Sequence, residues 1–150
     1  MKRIEEAIQR ANEFLHREVE KRVVLETLPP ECKDAKKQEI RQGFIRECRE
    51  DNKPYCDVRI RETDGKDYTL TAKFRPKHQE ATTKISKEMF DALWPGTRSK
   101  QEKKRYILEN GWIVDEIDNG RIVAEFEYKD GKDKAYRPAS FEVKEVIGRE

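Results

Sequence analysis

The chain has 150 residues, of which 43% are charged and 35% hydrophobic. This length fits one domain, so we expect a single domain over 1–150 in which residues 1–17 form an N-terminal helical extension. The near balance of 33 basic and 31 acidic residues argues against a general nucleic-acid-binding surface, and no DNA partner is expected.

Two further features of the composition bear on location. No stretch approaches the roughly 20 consecutive apolar residues that a membrane-spanning helix needs, so we expect no membrane partner. The 3 cysteines cannot all pair with one another, which favours free thiols in a reducing compartment. We therefore expect the protein to be cytoplasmic.

The first third of the chain combines a helical pattern with a strand pattern. Residues 3–16 carry apolar side chains at helical spacing, which predicts an amphipathic helix. Residues 18–26 alternate and predict a strand, which ends at Pro29-Pro30. A polar link, helical or irregular, then leads to a second strand that opens at Gln42.

From residue 55 onward, turn dipeptides divide the chain into alternating segments. Asn-Gly and Asp-Gly strongly indicate hairpins, because both turn residues tolerate positive φ. The pairs Asp64-Gly65, Asn110-Gly111 and Asn119-Gly120 therefore predict antiparallel strands over 55–62, 67–75, 103–109, 112–118 and 121–128.

Shorter elements lie between and after these hairpins. Ser86 is suited to cap a short helix that stops at Pro95-Gly96, and a strand is expected over 80–85. Residues 132–138 read as a polar loop, and residues 140–147 as a strand or a docking tail.

Charged residues recur at alternate positions of these strands, where side chains share one face of a sheet. Glu18, Glu20 and Arg22 read acid, acid, base in the first strand. The later same-sign pairs are Arg59 with Arg61, Lys73 with Arg75, Lys103 with Arg105, Glu116 with Asp118, and Glu125 with Glu127. Such a face is either exposed to water or the polar lining of a closed barrel.

These side chains suit a site for a polyanion and a metal. Arginine contacts phosphate oxygens through two N–H groups, and lysine adds a point charge. Paired glutamates supply the hard oxygen ligands that Mg²⁺ or Mn²⁺ prefers. A basic wall that faces a carboxylate-bound metal is the arrangement that phosphoryl transfer needs.

The order of these motifs resembles the CYTH domains, also called triphosphate tunnel metalloenzymes. The segment Glu18-Val19-Glu20-Lys21-Arg22 is similar to their E-x-E-x-K signature, with Arg22 in the lysine position. The later matches are Val58-Arg59-Ile60-Arg61, Thr69-Leu70-Thr71-Ala72-Lys73, Lys103-Lys104-Arg105-Tyr106, Glu116-Ile117-Asp118, Ala124-Glu125-Phe126-Glu127, and the tail from Phe141 to Glu150.

The resemblance implies an α+β fold, namely an eight-stranded antiparallel β-barrel that forms a tunnel with a few flanking helices. It implies a divalent-metal-dependent triphosphate hydrolase that acts on inorganic, nucleoside or thiamine triphosphate. The expected metal ligands for Mg²⁺ or Mn²⁺ are Glu18, Glu20, Asp118, Glu125 and Glu127. The expected phosphate-binding residues are Arg22, Arg59, Arg61, Lys73, Arg75, Lys103 and Arg105, and the expected catalytic residues among them are Arg22, Lys73 and Lys103.

Two alternatives remain open on the same scaffold. One is a lyase of the class IV adenylate cyclase type, which would form cyclic AMP from ATP. The other is a module that binds triphosphate or polyphosphate without turnover, motivated by Arg22, by Thr82 in place of a carboxylate, and by the short C-terminal segment. The expected partner is a small-molecule triphosphate, and a homodimer is left open.

Overall fold

The computed structural model describes residues 19–128 and 136–147, with side chains over 21–126 and 136–147. The helix predicted over 3–16, the side chains of Glu18, Glu20 and Glu127, and most of the loop predicted over 132–138 lie outside this part of the chain.

The described residues form nine strands and one short α-helix. The strands are β1 Val19–Leu25, β2 Lys36–Glu50, β3 Lys53–Thr63, β4 Asp67–Phe74, β5 Gln79–Lys84, β6 Arg98–Ile107, β7 Trp112–Ile117, β8 Ile122–Tyr128 and β9 Val143–Val146. Helix α1 spans Lys87–Leu93, and single 3₁₀ turns lie at Pro30–Asp34, Arg75–Lys77 and Trp94–Gly96. None of the helices described here is long and apolar enough to cross a membrane.

Hydrogen-bonded neighbours follow the order β5-β4-β3-β2-β6-β7-β8-β1-β9. The pairs β1–β8, β1–β9, β2–β3, β3–β4, β4–β5 and β7–β8 are antiparallel, which confirms a largely antiparallel sheet with little helix. The predicted eight-stranded barrel is corrected in two respects. The described part has nine strands, and its order ends at β5 and β9 without closing into a barrel.

The predicted hairpin turns form where the backbone needs left-handed residues. Asp64 and Gly65 have φ of 54° and 67°, while Gly111 and Gly120 have φ of 91° and 89°. Asn110 adds a local contact, because its Oδ1 accepts the Trp112 amide at 3.0 Å. These turns place β3 against β4 and β7 against both of its hairpin partners.

A further hairpin joins β2 to β3 through Asp51 and Asn52, whose φ values are 52° and 62°. The sequence reading missed this turn, since neither residue is glycine. It also began the second strand too late: after the 3₁₀ turn, β2 runs unbroken from Lys36. The pairing with β3 begins at Ile40, and β6 is the other hydrogen-bonded neighbour of β2, so pairing within the sheet favours a strand here despite the weak apolar alternation.

Two compact units emerge from the contacts, one of residues 1–37 with 105–150 and one of residues 38–104. In the described part of the first unit, the core is centred on Trp112, Val23, Val114 and Ala124, each at most 1% exposed. One face of each strand packs into this core, so the alternate residues of those strands point away from it.

The second unit has its own core. Ile60 of β3 and Phe90 of α1 are fully buried and pack with Tyr68. Ser86 caps α1 as predicted, because its Oγ accepts the Met89 amide at 3.0 Å. The helix thus covers one face of β3 and leaves the other face to its charged residues.

Candidate phosphate-binding and metal-binding residues

The basic face of the second unit is the side of its strands opposite α1. Ile60 enters the core, so Arg59 and Arg61 lie on the other side of β3. Contacts across the strands show which residues share this face. It comprises Gln42, Asp57, Arg59, Arg61, Thr71, Lys73, Arg75, Glu80, Thr82, Gln101 and Lys103.

Ion pairs hold two of the predicted phosphate-binding residues on the basic face. Arg75 Nη2 lies 2.6 Å from Asp57 Oδ2, and Lys73 Nζ lies 3.6 Å from Glu80 Oε2. Arg75 begins a 3₁₀ turn just after β4 instead of lying in the strand, yet its guanidinium still reaches this face. The carboxylates fix both cations in position.

Amide and hydroxyl groups continue the network on the basic face. Arg61 donates from Nε and Nη2 to Gln42 Oε1 at 3.1 and 2.7 Å, and Gln42 donates to Gln101 Oε1 at 3.3 Å. The hydroxyls of Thr71 and Thr82 lie 2.9 Å apart. One group of polar side chains is therefore bonded across β3, β2 and β6, and a second pair is bonded across β4 and β5.

Burial distinguishes the basic face from an ordinary solvated surface. In β6, Gln101 and Lys103 are half-buried while their neighbours Glu102 and Lys104 are exposed. Beneath the cations, Gln42, Asp57 and Thr71 are only 7%, 7% and 6% exposed. These three polar side chains are less accessible than is usual on a solvated sheet face, whereas the side chains of Lys73 and Arg75 are 35% and 39% exposed.

The first unit carries a second charged cluster on the side away from its core. Arg105 donates from Nε to Asp115 Oδ1 at 2.8 Å and from Nη2 to Asp115 Oδ2 at 2.9 Å. The two side chains are only 15% and 9% exposed. This two-point contact between planar groups is the strongest geometry available to such a pair.

Glu125 lies between two guanidinium groups in that cluster. Its Oε2 accepts from Arg22 Nε and Nη2 at 3.3 and 3.1 Å, and its Oε1 lies 3.8 Å from Arg105 Nη2. Residues 22 and 125 are register partners of β1 and β8, which accounts for their contact. The predicted metal ligand and the predicted phosphate-binding residue thus form an ion pair.

The remaining predicted metal ligands are only partly described. Residues 20 and 127 are register partners, two positions along from the pair of residues 22 and 125. Asp118 is exposed in the turn that follows β7. Within the described residues, no group of three or more His, Cys, Asp or Glu side chains could hold a metal ion.

Two carboxylates at the centre of these clusters were missed by the sequence reading. Asp115 was overlooked in favour of Glu116, which is exposed and accepts a bond from the Tyr106 hydroxyl at 3.3 Å. Burial, followed by the charge of Glu116, raises the pKa of Tyr106, so its hydroxyl stays neutral. Asp57 was overlooked as well, although it lies two residues before Arg59 and therefore on the same face of β3.

Comparison with known proteins adds evidence on the fold. No family model and no curated protein matches the chain. The crystal structure of the hypothetical protein NE1496 is similar over 87% of this chain and 89% of its own, with 24% identity and a TM-score of 0.61. The PH1819 protein from Pyrococcus horikoshii OT3 matches over 74% of this chain and 77% of its own, with 22% identity and a TM-score of 0.44. The first likeness shows that this arrangement of strands occurs in a solved structure.

Proposed function

We propose that the chain is a cytoplasmic, divalent-metal-dependent triphosphate hydrolase of the CYTH type, with a small-molecule triphosphate as its substrate. The observation that carries the proposal is the half-buried basic face, which gathers arginine and lysine side chains from three strands and a neighbouring turn. The order of charged motifs along the chain supports the same activity. Inorganic triphosphate is the simplest substrate, because the cations would contact only phosphate groups.

The second unit supplies the proposed phosphate-binding residues Arg59, Arg61, Lys73, Arg75 and Lys103. Their partners support this role, since Asp57, Glu80 and Gln42 contact Arg75, Lys73 and Arg61 and would limit the motion of these cations before a ligand arrives. Binding then costs less side-chain entropy than it would on a mobile surface. The role of these residues would be to bind and orient the triphosphate and to offset charge in the transition state.

The first unit supplies the proposed metal ligands. Glu125 fits as one of them, because a carboxylate oxygen has a second lone pair beyond the one that meets Arg22 or Arg105. Glu20 and Glu127 are the other proposed ligands, and their backbone positions are register partners two residues along from the pair of residues 22 and 125. Oxygen donors of this kind suit Mg²⁺ or Mn²⁺.

Arg22 and Arg105 would position Glu125, and Asp115 would position Arg105 in turn. When bound, the metal would supply charge neutralisation at phosphate oxygens and a more acidic water. Within the first unit, the protein's own contribution would be to keep the Glu125 carboxylate and the guanidinium groups of Arg22 and Arg105 close together. Asp118 remains a proposed ligand at the end of β7.

Phosphate release from tripolyphosphate, with Mg²⁺ or Mn²⁺ and with EDTA as a blank, tests the proposal directly. Lys103→Met should lower kcat/KM by roughly 10²–10³-fold, the loss typical of one positioned charge in a phosphoryl-transfer site. Lys104→Met is the matched control, because Lys104 is the adjacent residue of β6 and is exposed. It should leave the rate within about twofold of the wild type.

A variant in the first unit tests the proposed metal ligands. Glu20→Ala should abolish phosphate release, and raising the Mn²⁺ concentration should restore part of the activity. Absence of turnover on tripolyphosphate, ATP and thiamine triphosphate would refute the hydrolase. Thermal stabilisation by tripolyphosphate without turnover would then indicate a binding module, and cyclic AMP formed from ATP would indicate the lyase.

A further inference from the structure

The thiols of Cys48 and Cys56 are brought together by the hairpin that the sequence reading missed. These residues are register partners in β2 and β3, close to the Asp51-Asn52 turn. Directly opposite residues of an antiparallel pair have Cα atoms about 4.5–5.5 Å apart and side chains on one face. A disulfide needs Cα atoms roughly 4.4–6.8 Å apart, so the register meets its first requirement.

Both thiols are free and accessible from solution. Cys48 and Cys56 are partly exposed, whereas the third thiol, Cys32, is 1% exposed in the core of the other unit. An oxidant or a small thiol can therefore reach the first two residues without unfolding. Among the three cysteines, only Cys48 and Cys56 are both accessible to solvent and opposite one another.

A guanidinium group lies beside the Cys48 sulfur. Arg46 Nε is 3.0 Å from Cys48 Sγ and shares its face of β2, two residues earlier. The hydrogen bond with Cys48, followed by the charges of Cys48 and Cys56, raises the pKa of Arg46, which stays protonated. The thiolate is the form that attacks disulfides, and the Arg46 guanidinium places a positive charge in hydrogen-bond contact with the Cys48 sulfur.

We propose that Cys48 and Cys56 form a reversible redox site, which closes to an intramolecular disulfide on exchange with an oxidised low-molecular-weight thiol. The proposal is independent of the triphosphate hydrolase. It rests on the β2–β3 register, on the exposure of both residues and on Arg46. The closed form would join the two strands next to Asp57, which follows Cys56 directly.

The exchange takes place in two balanced steps. The Cys48 thiolate attacks the oxidised small disulfide, forming a mixed disulfide and releasing one small thiolate. The Cys56 thiolate then attacks the Cys48 sulfur, forming the internal disulfide and releasing the second small thiolate. The two thiol protons pass to the released thiolates, so two protein thiols are oxidised while one small disulfide is reduced to two thiols.

The test uses the folded full chain with oxidised glutathione as the probe, followed by alkylation with iodoacetamide and mass spectrometry. Wild type should lose two hydrogen atoms in mass, and proteolysis should yield one peptide joined through residues 48 and 56. Dithiothreitol should reverse the change. Cys32→Ser is the matched control and should form the same link.

Single variants test the mechanism of closure. Cys48→Ser and Cys56→Ser should each retain one glutathione adduct, because the resolving thiol is missing. Circular dichroism establishes that each variant is folded. A wild-type chain that stays unmodified, that carries glutathione on both residues without a link, or that forms only intermolecular dimers would overturn the proposal.

Discussion

The buried pair of Arg105 and Asp115 offers the sharpest test of the charged cluster in the first unit. Replacing Asp115 by valine introduces a β-branched residue of similar size that suits a strand, and it removes both short hydrogen bonds to Arg105. Breaking a buried ion pair from one side typically costs about 3–5 kcal/mol, because the other charge stays buried. Glu125 at 3.8 Å offsets part of this cost, so we expect a loss of about 3 kcal/mol.

Urea denaturation measures this loss. With a slope of about 2 kcal/mol per molar urea, the midpoint should fall by about 1.5 M. The double variant Arg105→Met, Asp115→Val should recover at least half of the loss, because no charge remains to be buried. Arg22→Met serves as the comparison: Arg22 is 42% exposed, and its variant should lose no more than about 1 kcal/mol. A loss below about 1 kcal/mol for Asp115→Val, or strict additivity in the double variant, would refute the reasoning.

Three further predictions concern stability. Burial raises the pKa of the Cys32 thiol from 9.0 to about 11, so the stability it contributes is intact below pH 9 and is lost as the pH rises toward 11. The difference in unfolding free energy between wild type and Cys32→Ala should therefore shrink by roughly 2 kcal/mol over that range, and a constant difference would contradict it. At Gly111, φ is 91° and an added Cβ would lie 2.8 Å from the Phe126 side chain, whereas at Gly120 φ is 89° and an added Cβ would meet open space. Gly111→Ala should therefore destabilise the protein more than Gly120→Ala. Equal melting temperatures of the two variants would exclude the clash. Ser86→Ala should cost about 1 kcal/mol by removing the cap of α1, and an unchanged urea midpoint would show that the cap contributes nothing.

The hairpins were predictable from sequence because their cause is local. Glycine at a turn, as at Gly111 and Gly120, indicates a left-handed backbone conformation independently of the residues that pack around it. The late start assigned to β2 has the opposite origin. Its polar first half becomes a strand only through pairing with distant residues, which no local pattern reveals.

The same distinction between local and long-range causes applies to the candidate site. The same-sign pairs of the basic face could be predicted from the alternation of side chains along each strand. Their half-buried environment could not be predicted in this way. The position of Asp115 on the charged face could nevertheless have been predicted from the sequence. Trp112 and Val114 occupy the core face of β7, so residue 115 lies on the opposite face. The prediction chose Glu116 and Asp118 because they form an acidic pair at alternate positions and resemble the E-I-D motif, but the strand ends at Ile117.

The recurrence of same-sign charges along each strand has a structural cause in the pairing across strands. Arg75 meets Asp57, Lys73 meets Glu80, and Arg22 meets Glu125, in each case from a different element. Opposite charges across a sheet are stabilising, so two cations at alternate positions persist when carboxylates stand beside them. The density of charge alone therefore does not require a polyanion, and the partial burial of the basic face is the stronger support for the proposed site. Asp57 and Glu80 already neutralise two of its cations, so a bound triphosphate would share these cations with the carboxylates that position them. Its net electrostatic gain would then be smaller than the number of cations suggests.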